Sequence, residues 1–229
     1  GSHFVLGENI PDALGRAAKS EEKGYRHSFD MLGEGARTAE DAKRYYKSYA
    51  DAIEAIGTWQ VRNKPDHRLP DRMGISVKLS ALHPRYLATH KDRVMAELVP
   101  QLVALAQQAR KYQLNFTIDA EEADRLELSL SVIEAVFADP SLDGWDGFGL
   151  AIQAYQKRAG AVIDFIDALC VKHQRRMMVR LVKGAYWDSE VKRAQERGLD
   201  DYPVWTRKAA TDLAYLKFAK QLLSKRERI

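Results

Sequence analysis

The chain has 229 residues, of which 45% are hydrophobic, 30% charged and 9% aromatic, with a formal net charge of +4. That is enough apolar material for a substantial single core, and no apolar run approaches the roughly 20 residues that a transmembrane helix needs. One cysteine, Cys170, excludes an internal disulfide and fits a reducing cytosol, while basic residues spread along helical stretches, clustering only in Lys225-Arg226-Glu227-Arg228, argue against nucleic-acid binding.

Gly1-Ser2-His3 reads as a cloning scar, with no signal peptide after it. Residues 4–25 predict a helical lead-in, with Ile10, Leu14, Ala17 and Ala18 on one face and Gly24 as its stop. Strand one follows at about 26–32. Thr38 then opens a helix with Glu40 and Asp41 in its first turn, running to about Ile56, where Gly57 stops it. Pro65, Pro70 and a run of charged residues break any pattern over 57–73, which reads as a long mobile loop.

Strand two, 74–82, carries Lys78 and leads past Pro84 to a helix that Thr89 caps, with Asp92 three residues on. Val94, Leu98, Leu102 and Leu105 give that helix its inward face. Strand three, Leu114–Ala120, ends on Asp119, and a helix beginning near Glu121 turns Leu126, Leu130, Ile133 and Val136 inward. The turn-rich stretch from Pro140 to Gly147 feeds strand four, Phe148–Ala154, which carries Gln153. A helix at about 159–173 holds Cys170 among apolar neighbours, so the thiol reads as inert core. Strand five, Met177–Val182, carries Arg180, and helices at about 188–197 and 206–224 follow.

Alternation of strand and helix argues for a parallel sheet with right-handed crossovers, either doubly wound or a barrel. No G-x-G-x-x-G follows a first strand, which weakens the dinucleotide-binding doubly wound alternative. Each strand is apolar along its length and polar at its C-terminal end, as in a parallel barrel whose loops build an active site. The expected fold is therefore an α/β (β/α)8 barrel, of which residues 26–229 hold about the first five β/α units.

The densest chemistry lies in Arg180-Leu181-Val182-Lys183-Gly184-Ala185-Tyr186-Trp187-Asp188. Charge, a glycine that permits close backbone approach, and flat aromatic surfaces stand together there, as an anionic planar cofactor requires. A strand-end ion pair of Arg180 with Asp188 or Glu190, beside core aromatics, explains the same residues. Glu121 and Glu122 read as an acidic helix N-terminus, whereas Asp119, within the strand end, can accept from a ligand or orient a cation. Gln153 needs partners among apolar neighbours, either a cofactor ring edge or a backbone carbonyl. Lys78 is an ammonium within Ile75-Ser76-Val77-Lys78-Leu79, which is costly unless paired. It can be a Schiff-base nucleophile, a clamp for a substrate carboxylate, or a partner of Asp30 or Asp119. The six histidines show no metal-ligand spacing.

The stretches FDMLGEGARTAEDA, GISVKLSALHPRY, IDAEEADRLELS, GLAIQAYQKRA, RLVKGAYWDSEVKRAQ and YPVWTRKAATD resemble the proline dehydrogenase domain of the bifunctional bacterial proline utilisation A flavoenzymes. They run in order over nearly the whole chain. The resemblance implies a distorted (β/α)8 barrel with non-covalent FAD at the strand C-termini. It implies oxidation of L-proline to Δ1-pyrroline-5-carboxylate, the first step of proline catabolism to glutamate, by hydride transfer to flavin N5. Lys78 would help bind the proline carboxylate with Asp30 in the same pocket, and Tyr186 would pack on the substrate ring. Arg180 would face the isoalloxazine near N5, Gln153 would bond its polar edge, and Asp119 and Ala120 would support it. Val182, Lys183, Gly184 and Ala185 would line the cofactor, with Trp187 by the adenine and Thr206, Arg207 and Lys208 on the pyrophosphate or ribose side.

The same resemblance implies a membrane quinone as electron acceptor and a cytoplasmic enzyme with peripheral contact at the inner membrane. It also implies a pyrroline-5-carboxylate (glutamate semialdehyde) dehydrogenase domain in the parent protein, and no nucleic-acid partner through this domain. In that family three further strands and a final helix follow. Residues 1–229 alone are therefore expected neither to close the barrel nor to turn over proline. Two other readings stay open: a lysine Schiff-base aldolase on a barrel, and a non-catalytic interaction fragment.

Overall fold

The computed structural model of the chain describes residues 6–31 and 33–229. The cloning-scar reading, the first two positions of the lead-in and Leu32 in strand one lie outside the described residues. Five strands, β1 (Ser28–Asp30), β2 (Gly74–Val77), β3 (Asn115–Ile118), β4 (Phe148–Gln153) and β5 (Met178–Val182), form one sheet in that order. Every neighbouring pair is parallel. Helices α1 (Ile10–Glu21), α2 (Ala39–Asn63), α3 (Leu79–Leu82), α4 (Lys91–Lys111), α5 (Leu126–Phe137), α6 (Ala159–His173), α7 (Trp187–Glu196) and α8 (Lys208–Ser224) complete it. This is a partial (β/α) barrel, its first five units in sequence order.

Period-two alternation divides the sheet into two faces. Phe29, Ile75, Val77, Phe116, Ile118, Phe148, Leu150 and Ile152 point one way and are buried under the helices. Phe148 stacks on both Phe116 and Phe137, at 6.2 Å between centroids in each case. The opposite face is small and polar: Asp30 is in register with Ser76, Ser76 with Thr117, and Ala151 with Arg180. That face is where the site forms.

Local rules account for several boundaries. Thr38 and Asp41 form a reciprocal capping box at the start of α2. Asn9 caps α1 by accepting the Asp12 N–H, and Gly24, with φ +88°, ends the lead-in. Cys170 is buried on α6, and desolvation pushes its thiol up to about 11.

Other boundaries correct the sequence reading. Helix α2 does not stop at Gly57 but runs to Asn63, and Leu69–Asp71 forms a single 3-10 turn, so more than half of the expected 57–73 loop is regular structure. Gly57 is there for packing. A Cβ on it would lie 2.2 Å from Tyr112 Cγ. Thr89 lies in a 3-10 turn, Ala88–His90, and α4 begins at Lys91 without a side-chain cap. Strand two ends at Val77, and residues expected to continue it turn into α3. After β3 the helix starts at Leu126 rather than near Glu121, so Glu121 and Glu122 are not its first turn.

Candidate active site

Lys78 and Asp119 each occupy the first position after a strand, and Asp30 is the last residue of β1. Lys78 lies two residues beyond Ser76, and Asp119 two beyond Thr117, so the alternation sends both to the polar face. Lys78 Nζ donates to Asp30 Oδ1 and Oδ2 at 3.0 and 2.8 Å, and to Asp119 Oδ2 at 3.0 Å. Arg180 donates from Nη2 to Asp119 Oδ1, and from Nη1 to Ser76 Oγ at 2.7 Å. Two carboxylates and two cations therefore form one charge-balanced cluster across β1, β2, β3 and β5.

The cluster weighs against one of the roles open to Lys78. Burial pulls the ammonium down, but hydrogen bonds and charge from Asp30 and Asp119 outweigh it, and the net shift is upward. A lysine held as an ammonium is a poor Schiff-base nucleophile. The same bonds remove Asp188 and Glu190 as the partners of Arg180. Glu190 is instead buried and accepts the Ala123 N–H at 2.6 Å.

Gln153 ends β4, buried, with both ends of its amide satisfied by backbone. Its Nε2 donates to Glu121 O at 2.9 Å, and its Oε1 accepts the Ala185 N–H at 3.1 Å. Tyr186 donates from its hydroxyl to Glu34 Oε2 at 3.1 Å, and its N–H reaches Tyr155 Oη at 3.3 Å. Desolvation raises the Tyr186 phenol, and the nearby Glu34 carboxylate raises it further. Asp30, Lys78, Asp119 and Arg180 thus form one bonded set, and Gln153, Ala185 and Tyr186 belong to a second that runs through the loop after β5. Ala120 lies on a small interior void shared with Asp119 and Gln153.

A second group of expected residues meets beside the loop after β5. Tyr155, Lys183, Gly184, Trp187, Thr206, Lys208 and Thr211 line a cavity of about 360 Å³. Gly184 has φ +141°, and a Cβ there would lie 2.4 Å from the Tyr155 ring, so only glycine permits this approach. Lys183 and Lys208 both pair with Asp212, at 2.5 and 2.6 Å, which leaves one positive charge over. Trp187 is 42% exposed and donates from Nε1 to Trp205 O at 2.9 Å. Val182 closes β5, its carbonyl accepting the Ala154 N–H at 2.8 Å. Arg207 does not line the cavity; it is exposed at the N-cap of α8.

This lining could hold an anionic dinucleotide cofactor. Surplus positive charge at Lys183 and Lys208 suits a diphosphate, a glycine cradle admits close backbone contact, and an exposed indole offers a stacking face. Three contributors escaped the sequence reading. Ser76 carries a period-two signal with Lys78. Glu34 stands in FDMLGEGARTAEDA with no local sign of its contact to Tyr186. Glu121 looks, in sequence, like part of an acidic helix N-terminus.

A family profile described as Proline dehydrogenase matches residues 13–229. The chain is 54% identical over 224 residues to the "Bifunctional protein PutA" of Klebsiella aerogenes, covering 98% of this chain and 17% of that protein. It thus spans about a sixth of the length of the curated relatives it matches most strongly. Among solved structures, a variant of Bradyrhizobium japonicum Proline Utilization A superimposes with TM-score 0.89 at 67% identity, over 99% of this chain and 22% of that one. Proline utilization A from Bdellovibrio bacteriovorus, inactivated by N-propargylglycine, superimposes with TM-score 0.92 at 26% identity, over 99% and 24%. With the five-unit parallel sheet, the polar strand ends and a profile match from Ala13 to the last residue, the chain belongs to the proline dehydrogenase family.

Proposed function

We propose that this chain forms the flavin- and substrate-binding part of an enzyme that oxidises L-proline to Δ1-pyrroline-5-carboxylate. The observation that carries the reading is the Asp30–Lys78–Asp119–Arg180 cluster at the C-terminal side of parallel strands, together with a cavity after β5 that carries surplus positive charge. Bound FAD supplies the hydride acceptor, its N5 atom. Lys183, Gly184, Trp187, Thr206 and Lys208 would hold the dinucleotide, with Val182 and Ala185 along its course and Arg207 at its exposed end.

Lys78 binds the substrate carboxylate in this reading. Its three donor contacts are taken by Asp30 and Asp119, and Asp30 is the exposed partner, at 51% against 9% for Asp119. A carboxylate entering the pocket therefore exchanges with Asp30 while Asp119 keeps the ammonium in place. Arg180, anchored by Ser76 and Asp119, presents fixed positive charge without reorganising, which favours a product state that gains electrons. Tyr186, held by Glu34 and Tyr155, offers a ring face to the substrate. Gln153 acts through the Ala185 backbone rather than by a free amide.

Reoxidation by a membrane quinone, contact with a membrane surface and onward oxidation of the product in a longer polypeptide belong to the same proposal. Among the described residues no helix is long and apolar enough to cross a membrane. The net charge of +4 supports attraction to anionic head groups.

The test is a visible absorption spectrum of the full-length protein, recorded anaerobically with and without L-proline. A flavin band that bleaches on adding proline is expected. A band that persists, or a colourless protein trapped by borohydride at Lys78 with a carbonyl compound, overturns the reading.

A further inference from the structure

Glu121 lies three residues beyond β3 and is 8% exposed. Its Oε1 accepts the Ser80 backbone N–H at 3.0 Å, and its Oε2 accepts Arg125 Nη1 at 3.0 Å. Its own carbonyl takes the Gln153 amide, whose other end holds the Ala185 N–H. Ser80 in turn accepts the Gly35 N–H on its hydroxyl at 3.1 Å and the Ala36 N–H on its carbonyl at 2.8 Å. One buried residue therefore connects the loop after β3 to those after β1, β2 and β5.

Each connected loop carries a residue of the proposed site. Lys78 is two positions before Ser80, Glu34 directly precedes Gly35, and Tyr186 directly follows Ala185. The turn bearing Lys78 has no side-chain cap of its own. Ser80 is 2% exposed, so without Glu121 its N–H would be buried and unsatisfied. Lys78 is held on its other side by the Tyr49 hydroxyl, which accepts the Lys78 N–H at 3.2 Å. Desolvation raises the Glu121 carboxyl above the usual range, a cost set against the half-buried Arg125.

We propose that Glu121 is a positioning residue, which sets the Lys78 turn against Arg180 and Tyr186 so that recognition of the substrate carboxylate depends on a side chain behind the site. This rests on the proline-oxidising reading above.

The test compares Glu121→Gln, which keeps the reach to Ser80 and removes the charge, with Glu121→Asp, which keeps the charge and shortens the reach by one methylene. In the full-length, flavin-loaded protein, four quantities are measured: flavin content, KM and kcat for L-proline, Kd for cyclopentanecarboxylate, and amide exchange at Ser80 and Ala185. Glu121→Asp should raise KM and Kd roughly tenfold or more, the scale of a misplaced binding group. Its kcat should change less, its flavin content should hold, and Ser80 exchange should be faster. Glu121→Gln should stay within about threefold of the unaltered protein, because a neutral amide oxygen still accepts the Ser80 N–H.

Equal behaviour of the two variants, or unchanged Kd and exchange in Glu121→Asp, overturns the proposal. Should Glu121→Asp not fold, Glu121→Gln decides alone, since a KM raised beyond tenfold would contradict it. An unaltered protein whose flavin ignores proline sinks the oxidation reading instead, and exchange at Ser80 still reports whether Glu121 holds the Lys78 turn.

Discussion

Lys78 Nζ stands 3.0 Å from Asp119 Oδ2, while Arg180 occupies the other oxygen of the same carboxylate. Asp119 is thus shared between two cations from strands that are not neighbours. It is the least exposed member of the cluster, and a low-dielectric setting strengthens each of its bonds. Its partners are consequently fixed, and Asp30, on the open side, is the group that the proposed substrate carboxylate would displace.

Lys78→Met should weaken L-proline binding by about 10- to 100-fold, the worth of one charge-assisted hydrogen bond of roughly 1.5–3 kcal/mol. Flavin content should not change. Titration of the anaerobic protein with proline, alongside a flavin-to-protein absorbance ratio, checks both. Equal loss of substrate and flavin would count against the clamp.

Arg180→Ala should lower the reduction potential of the bound flavin, because positive charge near the ring stabilises the reduced form. A fall of about 30 mV or more corresponds to a tenfold change in the two-electron equilibrium. Spectroelectrochemical titration measures it. An unchanged potential would place Arg180 away from the ring.

Gly57→Ala sets two effects against each other. Alanine in a helix interior gains about 1 kcal/mol over glycine. Here the new methyl meets the base of the Tyr112 side chain at 2.2 Å, not its flexible end. Overpacking of that kind costs about 1–3 kcal/mol. The substitution should therefore lower the urea midpoint, and Gly57→Ala combined with Tyr112→Ala should recover part of the loss.

Asp167 links α6 to the end of the chain through Arg228 and Lys225, at 2.5 and 2.6 Å. Hydrogen bonds from Arg228 and Lys225 hold its carboxyl down at about 2, from an ordinary 3.8. A depressed folded-state value adds stability that is complete above about pH 4 and is lost as pH falls toward 2. The unaltered protein should therefore exceed Asp167→Asn in denaturant midpoint by a constant margin above pH 4. That margin should shrink between pH 4 and 2. A margin independent of pH over that range would refute the ion-pair account.

Much of the architecture was legible from residue order. Apolar runs ending in Asp30, Lys78, Asp119, Gln153 and Arg180 were enough to expect a parallel barrel with its chemistry at one rim, because alternation along a strand is a local property. The helix at Ala159–His173 and the cap at Thr38 followed from neighbouring residues alone. Lys78 is legible as an ammonium in need of a partner, and the polar strand ends offer Asp30 and Asp119 without choosing between them.

What tertiary structure alone decided concerns contacts between residues far apart in the chain. Gly57 looked like a helix stop because glycine usually is one, but Tyr112 lies against it in space. Glu121 looked like a helix N-terminus because acids favour that place, but Ser80, 41 positions earlier, supplies a buried N–H that requires an acceptor. Gln153 could have faced a ring edge or a carbonyl, and the Ala185 and Glu121 backbones occupy both ends of its amide. Alternation, charge and capping depend on a few adjacent residues and can be read in order. Close packing and the pairing of buried polar groups depend on which distant segments the fold brings together.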